Sequence, residues 1–236
     1  MKFFIKLILD ICDKKTENKI TLYLKKIFKD KISVVIDVGS HKGEYIDNIL
    51  KNFEIKKIYS FEPNPKIFKL LYKKLRNNRS IETFNYGLGD KKKKELLNDN
   101  LESSSTSINQ LNKDSKYYKK KYFFLNPFNN KKVSIPVKIN VITLEDFVIE
   151  QKIKTVDLLK IDTEGYEFKV LKGLGKYIAN IRFIHFEHHF DDMIIKNYNL
   201  TEIHNYLKKN NFKKVFKVKM KFRKSFEYIY ENKTLR

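Results

Sequence analysis

The sequence predicts an α/β fold: a doubly wound, mostly parallel sheet with helices on both faces and an antiparallel strand at its C-terminal edge. Apolar runs of strand length alternate with segments of helical periodicity along most of the 236 residues. The run VVIDVGSHKG at 34–43 joins a buried strand to a helix through a glycine-bounded turn. Two strand-like segments close the chain with no helix between them, which predicts the antiparallel pair.

The first part of the chain predicts two N-terminal helical segments and three strands. Residues 1–14 form a helix with a narrow polar stripe, and a second amphipathic segment ends near Asp30. The strands are predicted at 34–37, 57–62 and 81–86. A helix with one apolar face follows the first strand. The helix after the second begins with Asn64 as N-cap and Pro65 in its first turn.

The alternation continues after one long interruption. From 91 to 132, Lys, Asn and Ser dominate and the periodicity disappears, which predicts an insertion that is a lid, a binding loop or disordered. The remaining strands are predicted at 133–141, 156–161, 181–187, near 212–222 and at 226–230. The remaining helices are predicted in TLEDFV, at 167–172 before Gly173, and at 201–209.

Length and composition fit one sizeable domain. With 42% hydrophobic residues, the chain can bury a single α/β core. We expect a helical segment at 1–30 and one domain at 31–236, with the insertion at about 91–132 inside it. The single cysteine, Cys12, excludes an intrachain disulfide and a cysteine cluster for zinc, which fits a cytoplasmic protein.

The chain is strongly basic, with a formal net charge of +22 at pH 7. This excess predicts either an anionic partner, such as nucleic acid, anionic lipid or acidic glycan, or a solvated lysine-rich surface. Lysine is spread along the whole chain, which favours the solvated surface. The segment 213–224 alternates basic with apolar residues, so it is either a protected edge strand or a face for an anionic acceptor.

The N-terminal segment is apolar but predicts no membrane span. No apolar run approaches the ~20 residues that a spanning helix needs. The start, MKFFIKLILDIC, resembles a signal peptide, but Lys6 and Asp10 interrupt it and no cleavage site follows. The helix at 1–14 is expected either to pack on the domain or to contact the inner face of a membrane peripherally.

Acidic residues end the first two predicted strands, where a parallel sheet binds its ligands. Asp37 ends the first strand, and Gly39 and Gly43 bound a turn whose backbone can approach a ligand closely. Glu62 ends the second strand, as suits a carboxylate that accepts both hydroxyls of a ribose. A dinucleotide site would need a middle glycine that this turn lacks. The arrangement favours a cofactor with a ribose and no pyrophosphate, such as S-adenosylmethionine.

Six segments together resemble one family. In order, DVGSHKGEY at 37–45, SFEPNP at 60–65, NYGLGD at 85–90, TLEDF at 143–147, LLKIDTEGYEFKVLKG at 158–173 and IRFIHFEHH at 181–189 resemble the FkbM-type family of S-adenosylmethionine-dependent methyltransferases. The resemblance implies the Rossmann-like class I methyltransferase fold with a seven-stranded sheet. It also implies O-methylation, commonly of sugar hydroxyls in surface polysaccharides, glycolipids or natural products.

The resemblance also implies which residues hold the cofactor. Asp37, Gly39, Ser40, His41 and Gly43 would form the methionine-side loop, Glu62 and Pro63 would meet the ribose, Gly87 and Leu88 would border the adenine, and Asp162 would face the reacting centre. The family turn usually has Ala and Asn where this chain has Ser40 and His41. Because Asn and His both fit a turn and can both donate, we expect binding to be retained.

Methyl transfer to a hydroxyl requires alignment and removal of a proton. A sugar hydroxyl is a poor nucleophile, so a general base or a metal is expected. The catalytic candidates are Asp162, Glu164 and His188, with Glu187 as a further base. Asp162 and Glu164, together with His188 or Glu187, could also form a divalent-metal site. His185 is predicted to be a buried structural histidine.

The sequence therefore predicts an S-adenosylmethionine-dependent O-methyltransferase of polysaccharide or glycolipid biosynthesis, with a sugar or glycan acceptor and no nucleic-acid partner. The alternative, suggested by the charge, is an RNA methyltransferase that uses the same cofactor site. Base methylation would need an Asp/Asn-Pro-Pro-aromatic run at 162–165. Ribose methylation would need a central lysine, and we predict none at the ends of the fourth and fifth strands. A binding module with a decayed cofactor site is disfavoured by the intact glycines and acids.

Overall fold

The computed structural model describes residues 2–98, 107–125 and 136–235. Its helices are α1 Lys2–Phe28, α2 Glu44–Asn52, α3 Pro65–Leu75, α4 Lys116–Leu125, α5 Leu144–Glu150, α6 Glu167–Lys172 and α7 Leu200–Lys209. Its strands are β1 Lys31–Val38, β2 Glu54–Phe61, β3 Ile81–Phe84, β4 Gly87–Leu88, β5 Lys93–Leu97, β6 Val137–Ile142, β7 Val156–Ile161, β8 Ile181–His189, β9 Phe212–Lys219 and β10 Ser225–Asn232.

Within these residues a seven-stranded sheet forms the centre of the fold, in the order β3-β2-β1-β7-β8-β10-β9. β1 pairs in parallel with β2 and with β7, and β7 pairs in parallel with β8. The chain order reverses between β1 and β7, so the ligand crevice is expected at the carboxyl ends of these two strands. The predicted α/β fold with a mostly parallel sheet is confirmed.

The antiparallel strand lies one position further in than predicted. We expected it at the edge, but β10 pairs antiparallel with both β8 and β9, and β9 forms the edge. β10 is buried along most of its length, whereas β9 exposes four lysines, at positions 213, 214, 217 and 219. The more apolar strand takes the covered position, and the lysines protect the exposed edge from pairing with other chains.

The N-terminal region is one helix rather than two segments. α1 spans 27 residues, because no glycine or proline interrupts the polar stretch between the two predicted segments. In its second half Leu24 and Phe28 are buried against the sheet, and the ring of Tyr23 stacks on that of Phe216 with centroids 4.6 Å apart. This half of α1 belongs to the core. No helix in the described part of the chain is long and apolar enough to cross a membrane.

The insertion at 91–132 contains regular structure that the sequence did not predict. β5 pairs antiparallel with β6, which also pairs in parallel with β4 in a second, three-stranded sheet. The hydroxyl of Ser107 donates to the carbonyl of Glu164 at 2.8 Å, and Ile195 N donates to the carbonyl of Gln110 at 2.9 Å. The described middle of the insertion therefore contacts the loops after β7 and β8. Most of the serine- and threonine-rich run at 103–107, and the start of the strand predicted at 133–141, lie outside the described residues.

Candidate active site

A cavity of about 560 Å³ lies at the carboxyl ends of the central strands. The predicted residues that line it are Gly39, Ser40, His41, Glu62, Pro63, Gly87, Leu88, Asp162, Glu164 and Glu187. Among the described residues, Asp37, Gly43 and His188 were also predicted at the site but do not line the cavity. The sheet therefore brings most of the predicted cofactor residues together.

Gly39 allows the turn after β1 to meet the turn after β7. Its backbone N–H donates to the carbonyl of Phe61 at 2.9 Å, and its φ is +86°. A Cβ atom at this position would lie 1.9 Å from the carbonyl oxygen of Asp162. Because no side chain fits in this space, glycine is required for the two turns to form one wall of the cavity.

Glu62 is held in place by two backbone donors. Its Oε2 accepts from His41 N at 2.9 Å, and its Oε1 accepts from Asn64 N at 2.8 Å. Burial raises the pKa of Glu62, against the effect of these two N–H groups. Each carboxylate oxygen can accept a second hydrogen bond, so the group remains able to bind two hydroxyls of a ligand.

Asp37 lies beneath the cavity. It is 1% exposed, and burial raises the pKa of its carboxyl to about 7, although the Ser40 hydroxyl and Lys160 oppose this shift. The Ser40 hydroxyl donates to the Asp37 carbonyl at 3.0 Å and accepts from the Ser60 hydroxyl at 2.7 Å. The backbone of Asp37 therefore supports the turn from below, and the direct contact of its side chain with the cofactor stays a prediction.

His41 occupies a position whose backbone few residues adopt. Its φ is +48°, in the left-handed region where Asn, Asp and His are the most common residues other than glycine. Its Nδ1 lies 3.0 Å from Glu44 Oε1, and this contact raises the pKa of His41 despite its partial burial. Its Nε2 is buried and has no hydrogen-bond partner within the described chain. The backbone explains why His can replace Asn here, and Nε2 is available to a ligand.

Lys160 lies at the centre of the buried charges. Its Nζ is 3.3 Å from Glu227 Oε2 and 3.6 Å from Asp162 Oδ2. Burial opposes its charge, but Glu227 and Asp162 outweigh burial, and the pKa of Lys160 is raised. His185 Nε2 lies 2.9 Å from the same Glu227 oxygen. We predicted no lysine in this region; Lys160 precedes the strand end by one residue and shares a face with Asp162.

His189 is a site residue that the sequence reasoning missed. Its Nε2 lies 3.4 Å from Glu164 Oε2 and 3.6 Å from Glu187 Oε1, and its Nδ1 lies 3.6 Å from Asp191 Oδ2. Burial opposes its charge, but these three carboxylates raise the pKa of His189 to about 10. The imidazolium therefore holds the carboxylates together and cannot accept a further proton. Side chains alternate between the two faces of a strand, so residues 185, 187 and 189 share one face. This pattern could have identified His189 as a site residue.

Glu187 lines the cavity, and it lies on the same face of β8 as His185 and His189. It is 6% exposed, and burial raises the pKa of its carboxyl to about 7, although His189 opposes this shift. A carboxylate with this pKa can accept a proton and release it near neutral pH. Glu187 is therefore the candidate general base that the geometry favours.

The structure corrects the role predicted for His188. Because side chains alternate along β8, its ring lies on the opposite face from Glu187, with its centroid 4.9 Å from that of Phe190. Burial lowers the pKa of His188 to about 4. His188 therefore cannot act together with Asp162 and Glu164.

The predicted metal site is not assembled. Within the described residues, no three or more His, Cys, Asp or Glu side chains are arranged to hold a metal ion. Two of the predicted ligands already contact cations of the protein, since Asp162 lies beside Lys160 and Glu164 beside His189. Of the two alternatives for the third ligand, His188 lies on the other face of β8, and Glu187 contacts His189.

Glu167 fixes the loop that carries Asp162 and Glu164. Its Oε1 accepts from Gly165 N at 2.8 Å and from the Thr163 hydroxyl at 3.2 Å, and the Tyr198 hydroxyl donates to its Oε2. Glu167 is 2% exposed and does not line the cavity. It is a positioning residue, and it is the last acid of the DTEGYE segment.

The far end of the cavity is closed by α1 and by the turn between β9 and β10. Arg223 in this turn pairs with Asp13 of α1, with Nη2 and Oδ2 2.6 Å apart. The carboxylates that line the cavity in the described chain are those of Asp13, Glu17, Glu44, Glu62, Asp162, Glu164, Glu187 and Glu227, against Lys42, Lys160 and Arg223. The cavity is therefore acidic, although the whole chain carries a net charge of +22.

Comparison with known structures supports the fold. The chain is similar to methyltransferase FkbM from Methylobacillus flagellatus KT, with 14% identity and a TM-score of 0.53 over 84% of this chain and 44% of that chain. It is also similar to magnesium protoporphyrin IX methyltransferase (ChlM) from Synechocystis PCC 6803 with bound SAM, with 8% identity and a TM-score of 0.52 over 94% of this chain and 80% of that chain. It is also similar to TrmK from M. capricolum in complex with S-adenosylhomocysteine, with 10% identity and a TM-score of 0.50 over 90% of this chain and 67% of that chain.

Family membership rests on the sequence. The chain spans less than half the length of the first of these structures, and no curated protein matches it. Residues 37–214 match the family model of the methyltransferase FkbM domain, which covers most of the chain. The matched range includes the turn with Gly39, Glu62 and the DTEGYE loop. The chain belongs to the FkbM methyltransferase family.

Proposed function

We propose that this chain uses S-adenosylmethionine to methylate a hydroxyl of a sugar in a surface polysaccharide, a glycolipid or a related glycan. Family membership supports methyl transfer, and two structures of similar fold hold this cofactor or its product. The observation that carries the proposal is one cavity that joins the turn at Gly39, the Glu62 carboxylate and a buried base, Glu187.

The residues present fit the cofactor. Glu62 retains acceptor capacity for two ribose hydroxyls, and the turn at Gly39 presents backbone without a Cβ atom. His41 Nε2 is a buried polar atom without a partner in the described residues, and it suits the polar end of the methionine part. When bound, the cofactor supplies a methyl group on a positively charged sulfur, which an acidic cavity favours.

The chain's own residues would then align the hydroxyl and remove its proton. Glu187 accepts this proton, since its pKa of about 7 lets it do so near neutral pH. His189 holds Glu187 and Glu164 on one side, and Lys160 holds Asp162 on the other. These fixed charges position the acceptor before the reaction, so that fewer polar groups have to reorient during methyl transfer.

The charge of the cavity favours a neutral or cationic sugar over an anionic acceptor. Eight carboxylates line it in the described chain, against two lysines and one arginine, so a phosphate-bearing chain would be repelled at the reacting centre. The presence of Lys160 removes one argument against RNA ribose methylation. However, Lys160 is held as a cation by Glu227 and Asp162 and therefore cannot take a proton from a ribose hydroxyl.

The proposal is tested by transfer of a radiolabelled methyl group from S-adenosylmethionine to two extracts of the source cells, surface glycan and total RNA. We expect label in glycan, and loss of labelling in Glu62→Ala. Label in RNA alone would overturn the choice of acceptor. Calorimetry with S-adenosylhomocysteine tests the cofactor separately, and absence of binding to the wild type would overturn both enzyme hypotheses.

A further inference from the structure

We propose that a second cavity, beside the first, binds a saccharide unit of the acceptor glycan. This inference rests on the proposed function and extends it to a part of the acceptor that does not react. The cavity has a volume of about 450 Å³ and lies between the insertion, the loop after β8 and the start of β10. It contains both an aromatic ring and hydrogen-bonding groups, the combination with which a binding site can hold a sugar.

The aromatic ring is that of Phe190, which is 51% exposed although it lies directly after a buried strand. The rings of His188 and Phe226 contact it in T-shaped geometry, with centroids 4.9 Å and 5.5 Å away. Its backbone N–H donates to the carbonyl of Lys224 at 2.6 Å. The ring is therefore held rigidly, and its exposed side can pack against the C–H face of a pyranose at little entropic cost.

Polar groups surround this ring at fixed positions. The Ser115 hydroxyl donates to Asp192 Oδ1 at 2.6 Å, and Asp191 Oδ1 accepts from Met193 N at 3.0 Å. Asn112 and Tyr117 also line the cavity. Carboxylates accept hydrogen bonds, and amides and hydroxyls both donate and accept them, so these groups can bind the equatorial hydroxyls of a sugar.

Asp191 joins this cavity to the reacting centre. Its Oδ2 lies 3.6 Å from His189 Nδ1, and His189 Nε2 lies 3.4 Å from Glu164, which lines the first cavity. The two cavities are thus separated by one histidine and its carboxylate partners. A glycan unit held beside Phe190 would therefore lie on the other side of His189 from Glu164.

The charge around Phe190 favours a saccharide over a nucleobase. Three aspartates, 114, 191 and 192, line the cavity in the described chain, together with two lysines, 116 and 224. Aromatic residues that stack bases usually lie in basic grooves that follow the phosphates, and three carboxylates would repel such a backbone. A neutral sugar experiences no such repulsion.

The test is affinity electrophoresis in native gels that contain surface glycan extracted from the source cells. We expect the glycan to retard the wild type, and Phe190→Ala to weaken this binding by about tenfold. Phe190→Tyr should retain it. Phe222→Ala is the matched control, because Phe222 is 72% exposed in the neighbouring turn and does not line the cavity. Unchanged S-adenosylhomocysteine binding by Phe190→Ala would show that the variant is folded.

Three outcomes would overturn the inference. They are no retardation of the wild type by glycan, equal losses in Phe190→Ala and Phe222→Ala, and retardation by total RNA that depends on Phe190. The proposed function fails in a different way. If glycan retards the protein through Phe190 but receives no methyl label, the saccharide site stands and the assigned reaction is wrong. Glu62→Ala should keep the retardation and lose the labelling.

Discussion

At the level of single residues, Gly39 and Gly43 share a positive φ but differ in what surrounds them. A Cβ at Gly39 would lie 1.9 Å from a backbone carbonyl, whereas at Gly43 the nearest atom is the flexible Leu71 Cδ1 at 3.1 Å. We therefore expect Gly39→Ala to abolish S-adenosylhomocysteine binding in calorimetry and to lower the melting temperature more than Gly43→Ala does. Equal effects of the two substitutions would contradict the close contact of the two turns.

Glu187 makes the pH dependence of the reaction predictable. Its pKa is raised to about 7, and a general base acts only when deprotonated, so kcat/KM should fall about tenfold per pH unit below 7 and level off above it. Glu187→Gln should lose about 100-fold or more in kcat and also lose this inflection. His188→Gln should keep the inflection, because His188 lies on the other face of β8. A wild-type profile that is flat between pH 5 and 8 would exclude Glu187 as the base.

Asp37 should lower stability as the pH rises. Its pKa in the folded state, about 7, exceeds the ordinary value of 3.8, so the folded state binds the proton more tightly than the unfolded state does. The stabilisation is complete below pH 4 and is lost as the pH rises through 7. Asp37→Asn, which does not titrate, should be more stable than wild type at pH 8 by about 1–4 kcal/mol, and this difference should be smaller at pH 5 because part of the loss in the wild type occurs between pH 5 and 7. Denaturant unfolding at the two pH values checks this, and parallel changes in both proteins would refute it.

At the level of elements, the sequence predicts strand ends better than strand faces. Gly39 and Glu62 could be predicted because each directly follows an apolar run. His189 and Lys160 were missed because their roles depend on which face of β8 and β7 points into the cavity. A register error of one residue exchanges His188 for His189. That register is set by pairing with neighbouring strands distant in sequence, which no local pattern records.

α1 provides a prediction at this level. Leu24 is 1% exposed in the contact with the sheet, whereas Leu22, on the same helix, is 63% exposed. If the second half of α1 is part of the core, Leu24→Ala should lower the free energy of unfolding by about 2–5 kcal/mol, and Leu22→Ala by less than about 0.5 kcal/mol. Urea denaturation measures both values. A small effect of Leu24→Ala would mean that α1 is dispensable for the fold.

For the whole molecule, the order of strands and helices can be predicted from the alternation of apolar runs. The structure of the insertion cannot be predicted in this way. The segment 93–97 reads KKELL, which has no strong strand pattern of its own. It forms β5 because its backbone pairs with β6, about 40 residues later in the chain. Such a long-range pairing depends on the finished sheet, so composition predicted a loop where the structure has a strand.

In the whole molecule, the positive net charge should govern RNA binding at the surface, and the acidic cavity should govern S-adenosylhomocysteine binding independently of it. The +22 charge is spread over the surface, so RNA should bind weakly and without sequence preference. Raising salt from about 50 to 200 mM should weaken this binding by about a thousandfold or more, because counterion release drives it. S-adenosylhomocysteine binding should change far less, since buried charges are screened less than exposed ones. Filter binding with labelled RNA and calorimetry at the two salt concentrations measure both. RNA binding that survives 200 mM salt, or that needs Glu62, would instead point to RNA as the substrate.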